Sequence, residues 1–141
     1  LDSFEAEGSA DVIKISNPDS VAPPIGSYSH LAVVPAGTDL LYLAGQVDMM
    51  PDGNVPDNAS DQFVQAIRNI LAILASEGCG PEHIIKLNTF LVEPLDLEKI
   101  KGFRADMLGD AKPPSTLVYV PKLATPDFLV EIEAIAARPA R

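Results

Sequence analysis

The sequence predicts an α+β fold in one domain: a sheet with two helices on one of its faces. Three observations predict it. β-Prone runs with period two alternate with two segments of helical period. The order reads ββαβαββ, with strands and helices mixed along the chain. A length of 141 residues, 47% of them hydrophobic, supports a core without disulfides or a structural metal.

Residues 1–11 are acidic, small and aperiodic, and are expected to be a loose segment preceding a domain over 12–141. Val12–Ile15 can add a short edge strand. Asn17–Tyr28 is rich in Pro and Gly and reads as an ordered loop. Ser29–Val34 and Leu40–Val47 are apolar and separated by Pro35–Asp39, which predicts a hairpin. Asp52-Gly53 marks a turn within the loop 48–58.

Asn58 or Ser60 can cap the first helix, whose apolar face is Phe63, Ile67, Ile70, Leu71 and Leu74. Gly78 ends it, with Gly80-Pro81 beyond. Ile84–Val92 is a strand closed by Pro94. The second helix spans about Leu97–Leu108 and is expected to bury Leu97, Ile100, Phe103, Met107 and Leu108. Pro113-Pro114 opens a strand at Ser115–Val120, and Pro126-Asp127 opens the last one at Phe128.

That last strand carries two acids among apolar residues. Glu131 and Glu133 share one face, ~7 Å apart at two strand rises, with Val130, Ile132 and Ala134 on the other. Carboxylates so placed are solvated on an edge strand, paired, or used, because burying one unpaired costs several kcal/mol. With both helices on one face, the opposite face exposes alternate apolar residues. Self-association through the sheets covers them and encloses the two acids.

Composition narrows the function. A net charge of −10 without a Lys/Arg cluster opposes nucleic-acid binding. Cys79 is the sole cysteine, which excludes an intrachain disulfide and a thiolate metal cluster and fits a reducing, cytoplasmic setting. No apolar run reaches the ~20 residues of a membrane span, and no secretory signal is legible. His30, His83 and Cys79 lack metal-ligand spacing, and the glycines form no phosphate loop. His83 reads as a solvated turn residue and Cys79 as a packing residue.

Three segments resemble the Rid family, also called YjgF, the reactive-intermediate deaminases. Pro24-Ile-Gly-Ser-Tyr-Ser29 is similar to its "IGPYSQ" loop, Leu43-Ala-Gly-Gln46 to its "SGQ", and Val130-Glu-Ile-Glu-Ala-Ile-Ala136 to its "VEIEAIA". Element order agrees from about Pro18 to Arg138. The resemblance implies a chorismate-mutase-like homotrimer with a central barrel and three clefts between subunits. It further implies cofactor-independent and metal-independent hydrolysis of enamines or imines to a keto acid and ammonia.

By the same resemblance Tyr28 borders the pocket, the Gly45 backbone approaches the ligand, and Glu131 orients the attacking water. Ser115 and Thr116 follow the family's substrate-binding arginine, while Glu133 is assigned to structure or subunit contact. The sequence departs at that arginine, because Lys112-Pro-Pro-Ser-Thr116 puts Pro114 there, and proline has no side-chain donor. The turn Pro121–Asp127 is also about two residues longer than the family pattern. Lys101 falls near a ligand-facing family position, and Lys112 and Arg104 are the other nearby cations; solvated surface is the competing reading for all three. His30 stands where the family has Gln and can serve the cleft or hold a strand end. Three functions follow: an enamine/imine deaminase of altered substrate range, a non-catalytic metabolite-binding trimer, and an RNA-cleaving or translation-inhibiting protein.

Overall fold

A computed structural model describes residues 13–141. The segment 1–11 and the proposed strand start at Val12 lie outside them. In chain order the elements are β1 (Lys14–Ser16), β2 (Leu31–Val33), β3 (Thr38–Gln46), α1 (Ala59–Ser76), β4 (Ile84–Leu91), α2 (Leu97–Leu108), β5 (Ser115–Tyr119) and β6 (Val130–Pro139). A four-stranded sheet has the order β3-β6-β4-β5, and β1 pairs with β2 in a separate two-stranded sheet. Within the four-stranded sheet of the described residues, β4–β5 is the one parallel pair.

β6 lies between β3 and β4, so it is not the solvated edge strand its acids allowed. Its burial follows the two-residue period. Val130, Ile132, Ala134 and Ala136 are buried, while Glu131, Glu133 and Ile135 are partly exposed. The buried set packs with Ile84, Leu87 and Leu91 of β4 and with Phe63, Ile67, Ile70 and Leu74 of α1. Each such Leu, Ile or Phe contributes about 1.5–3 kcal/mol, so this layer carries most of the core's hydrophobic stabilisation. α2 joins the same core through Ile100 and Leu108, and Phe103 meets Phe63 edge-on at 6.5 Å.

Local chemistry sets the helix ends. Asn58, not Ser60, is the N-cap: its Oδ1 accepts from the Asp61 N–H at 2.9 Å. Ser60 instead accepts the Asp96 N–H at 2.8 Å, which joins the starts of the two helices. Gly78 follows α1 at φ +73°, a conformation that costs other residues free energy. Buried Gln62 ties α1 to the segment entering β6. Its Nε2 donates to the Pro56 and Asp127 carbonyls, and its Oε1 accepts from the Leu129 N–H at 2.7 Å.

Three expectations are corrected. The hairpin between the second and third strands does not form. Pro35 and Gly37, at φ +87°, turn the chain out of line, and Ala140 N–H donates to the Gly37 carbonyl. β3 thereby aligns with β6 over nine residues, whereas β2 has three residues to pair with β1. Leu97 is 76% exposed because it begins α2, ahead of the turn that reaches the core. His83 is a cap and not a solvated turn: its Nδ1 accepts the Gly80 N–H at 3.0 Å, and its side chain is mostly buried.

Candidate functional site

The face of the sheet away from the helices is uncovered in the single chain. β3 presents Leu40 and Tyr42, 50% and 72% exposed, and β5 presents Val118. Between them lie Ile135, Glu133 and Glu131 of β6 and Lys86, Asn88 and Phe90 of β4. Glu133 accepts from Asn88 Nδ2 at 3.0 Å, and Lys86 Nζ donates to Thr116 Oγ1 at 2.9 Å. These rows engage Glu133 and Thr116. Glu131 accepts no side-chain hydrogen bond among the described residues and stands opposite Phe90.

Gly45 shapes the space around Glu131. Between the pairs Leu43↔Ala134 and Gln46↔Ile132, β3 has Ala44 and Gly45 while β6 has only Glu133. This is a β-bulge, and it turns Gly45 toward the acids of the neighbouring strand. A Cβ added at Gly45 would lie 2.1 Å from Glu131 Oε2 and 2.9 Å from its Cγ. The carboxylate occupies the volume that any larger residue needs.

A second group gathers where the Pro/Gly loop meets β5. Ser29 is buried and forms a parallel bridge to Pro114, beside Ser115. Tyr28 precedes it, its ring edge-on to His30 at 6.0 Å. His30 Nε2 bonds the Ala22 carbonyl at 2.7 Å, and its N–H donates to Asn17 Oδ1. The strand-end hydrogen-bonding role of His30 is therefore present. Arg104 of α2 donates from Nη2 to the Ser27 carbonyl at 2.9 Å. Burial pulls its guanidinium below the ordinary arginine pKa. Lys101 and Lys112 are exposed.

The two groups are separate within one chain. Glu131 aligns through Phe90 with Val118, four residues beyond Pro114. Four strand rises and two strand spacings put the Pro114 and Glu131 backbones ~16 Å apart. Nor does either main groove contain Glu131 or Gly45. One, of about 530 Å³, runs beside Ile15, Ser29, Ile84, Leu108, Lys112 and Pro113; the other, of about 450 Å³, lies between the helices. Among the described residues no helix is long and apolar enough to cross a membrane, and no His/Cys/Asp/Glu group could hold a metal.

Sequence reasoning missed Asn88 and Phe90, the neighbours of the two acids. Their signal was present, because Lys86, Asn88 and Phe90 alternate along β4 as Glu131 and Glu133 do along β6. The Arg104–Ser27 contact had no such signal, being 77 residues apart.

A family model described as Endoribonuclease L-PSP matches residues 19–138. The chain is 35% identical over 120 residues to a RutC family protein of Pyrococcus horikoshii, spanning 84% of this chain and 92% of that protein. It is 28% identical over 120 residues to protein HMF1 of Saccharomyces cerevisiae, spanning 84% and 90%. Among solved structures, the Rid family protein YyfB of Yersinia pestis is similar with a TM-score of 0.77 and 25% identity, over 89% of this chain and 98% of that one. TdcF of E. coli, solved with bound serine, is similar with a TM-score of 0.63 and 28% identity, over 89% and 98%.

Proposed function

Because the chain belongs to the endoribonuclease L-PSP family, which includes the Rid and RutC proteins, we propose that it is a cofactor-independent deaminase of small enamines or imines. The observation that carries this reading is Glu131 on the uncovered sheet face, packed over Gly45 and without a side-chain hydrogen bond among the described residues. A carboxylate so placed can hold a water and accept its proton as the oxygen attacks an imine carbon. Glu131 returns this proton to the nitrogen and then carries the hydroxyl proton to it as the C–N bond breaks, so the tetrahedral carbinolamine expels ammonia and leaves a keto acid. The bound serine in TdcF supports a ligand of amino-acid size.

The working site is composed across a subunit boundary. Leu40, Tyr42 and Val118 form an apolar face that a neighbouring copy covers in a homotrimer, with exclusion of water as the driving force. The ~16 Å between Glu131 and the Tyr28–Pro114 corner argues for a cleft built from one subunit's Gly45–Glu131 pair and its neighbour's loop. In this cleft Tyr28, Ser115 and Thr116 border the substrate, with Lys101 and His30 at its rim. Net charge −10 stands against RNA as the substrate.

Freshly generated 2-imino acids and amino-dienoates should release ammonia faster in the presence of the protein, and Glu131→Gln should lower the rate at least ~100-fold. Equal turnover by that variant would remove Glu131 from the mechanism. If a folded trimer released no ammonia from any of these substrates, the non-catalytic binding reading would replace the enzymatic one.

A further inference from the structure

Lys86 and Glu133 are opposite charges on one sheet face that the single chain does not pair. The register sets Lys86 opposite Ile135 and Asn88 opposite Glu133. The two charges are therefore diagonal neighbours on β4 and β6, ~7–8 Å apart and within reach of long side chains. Each instead takes a neutral partner. Lys86 Nζ donates to Thr116 Oγ1 of β5 at 2.9 Å, while Glu133 accepts from Asn88 Nδ2 at 3.0 Å. Among the described residues neither makes an ion pair. Both are partly buried, and Leu40, Tyr42, Phe90, Val118 and Ile135 share their face.

Water makes this arrangement tolerable, because a hydrated ion pair gains little over two hydrated charges. Covering the face removes that water. A charge then enclosed with only a neutral partner is costly, whereas one that meets its opposite is compensated. Lys86 is the one Lys or Arg that the four strands of this sheet place on the face, since Arg138 pairs with Glu77 on the helix side. Glu131 lies a row away with Phe90 and Val118, which leaves Glu133 as the acid to answer Lys86. The face is thus bipolar, positive toward β5 and negative on β6, with apolar residues at both edges. Such a pattern is complementary to a rotated copy of itself. Chains of net charge −10 repel one another at a distance, so attraction between copies has to come from a local contact of this kind.

We propose that Lys86 of each copy pairs with Glu133 of the next when the uncovered face docks on a second copy of this chain. This rests on the homotrimer reading and adds to it the contact that selects the partner and its rotation. The docking is head-to-tail, the β5 side of one copy against the β6 side of the next, and contacts of that type close into rings. The Thr116 and Asn88 hydrogen bonds keep the two charges from pairing within each chain. Val118 of one copy and Tyr42 of the next then flank the pair and exclude water from it, which strengthens the attraction.

The test is assembly of the full chain, followed by sedimentation over a range of concentrations. Lys86→Glu and Glu133→Lys should each raise the concentration needed for assembly at least ~100-fold. Mixed together, the two variants should assemble where neither does alone, because each supplies the charge that the other's surface needs. A ring of three built from both keeps one mismatched contact, so this recovery is partial. The chain carrying both reversals should assemble within ~10-fold of wild type. Lys86→Gln and Glu133→Gln reverse no charge and guard against a folding defect; each should weaken assembly at least ~10-fold. If all four single variants assemble as wild type does, the pair is absent from the contact and the proposal is overturned, with the trimer left standing. Failure of the folded charge-reversed variants to recover on mixing would also overturn it, because the two charges then act within one chain. A wild type that stays monomeric would reject the pair and the trimer together. Recovery on mixing into a dimer would uphold the pair and reject the trimer.

Discussion

The Glu131 carboxylate lies over Gly45 so closely that a Cβ at position 45 would come within 2.1 Å of Oε2. The contact joins neighbouring strands through a β-bulge, and it makes the glycine a determinant of where the acid points. Gly45 is not among the glycines at positive φ, so its backbone tolerates other residues. The restriction comes from the carboxylate alone.

Gly45→Ala should therefore separate stability from activity. The Glu131 side chain can swing away, at a cost of ~1 kcal/mol or less, and the acid then loses its orientation toward the water. We expect a thermal midpoint within a few degrees of wild type and at least a tenfold drop in ammonia release. An active Gly45→Ala protein would show that Glu131 needs no fixed position.

Gln62 is the converse case, a residue of the fold and not of the site. Gln62→Leu keeps the side-chain volume but leaves the Leu129 N–H without its partner and frees the Pro56 and Asp127 carbonyls. The cost should be ~2–4 kcal/mol. Urea unfolding should show a lower midpoint at unchanged slope. A midpoint equal to wild type would mean that water replaces all three bonds.

Asp48 should give the stability a pH dependence opposite to that of a salt-bridged acid. It is fully buried after β3, and among the described residues neither carboxylate oxygen makes a hydrogen bond of good geometry, its own backbone N–H being a strained contact only. Burial raises its pKa above the ordinary 3.8, offset in part by its own backbone N–H. The folded chain then keeps a proton that the unfolded chain has released. Stability attributable to Asp48 falls as pH climbs from about 4 through the raised folded value. Asp48→Asn should be more stable than wild type at pH 7, by on the order of 1 kcal/mol, and the gain should vanish below pH ~4. Urea midpoints from pH 3.5 to 7.5 check this; parallel profiles for the two proteins would refute it.

The uncovered sheet face makes a prediction about assembly. Tyr42→Asp adds a charge to that face on its edge strand β3, where Tyr42 is 72% exposed in the single chain. Sedimentation should find the wild type trimeric and the variant shifted toward monomer, with helical content retained. A trimeric Tyr42→Asp protein would place the subunit contact elsewhere.

The sequence by itself determined the elements whose signals are local. Asn58 or Ser60, Gly78 and the Phe63–Leu74 face delimited α1, with the choice of Asn58 left to the structure; the Leu97–Leu108 span of α2 was read from its periodicity, and the two-residue period of β6 put Glu131 and Glu133 on one face. Its motifs also pointed to the family. Tertiary structure decided what depends on distant partners. The hairpin expected from Pro35–Asp39 gave way to β3–β6 pairing, because β6 brings a buried face that β2 cannot match in three residues. Only the bulge opposite Glu133 shows why Gly45 faces Glu131, and only packing brings Arg104 to Ser27, 77 residues away. Periodicity reports which face a residue occupies, whereas the site depends on which strands and helices meet, and that is fixed by long-range burial.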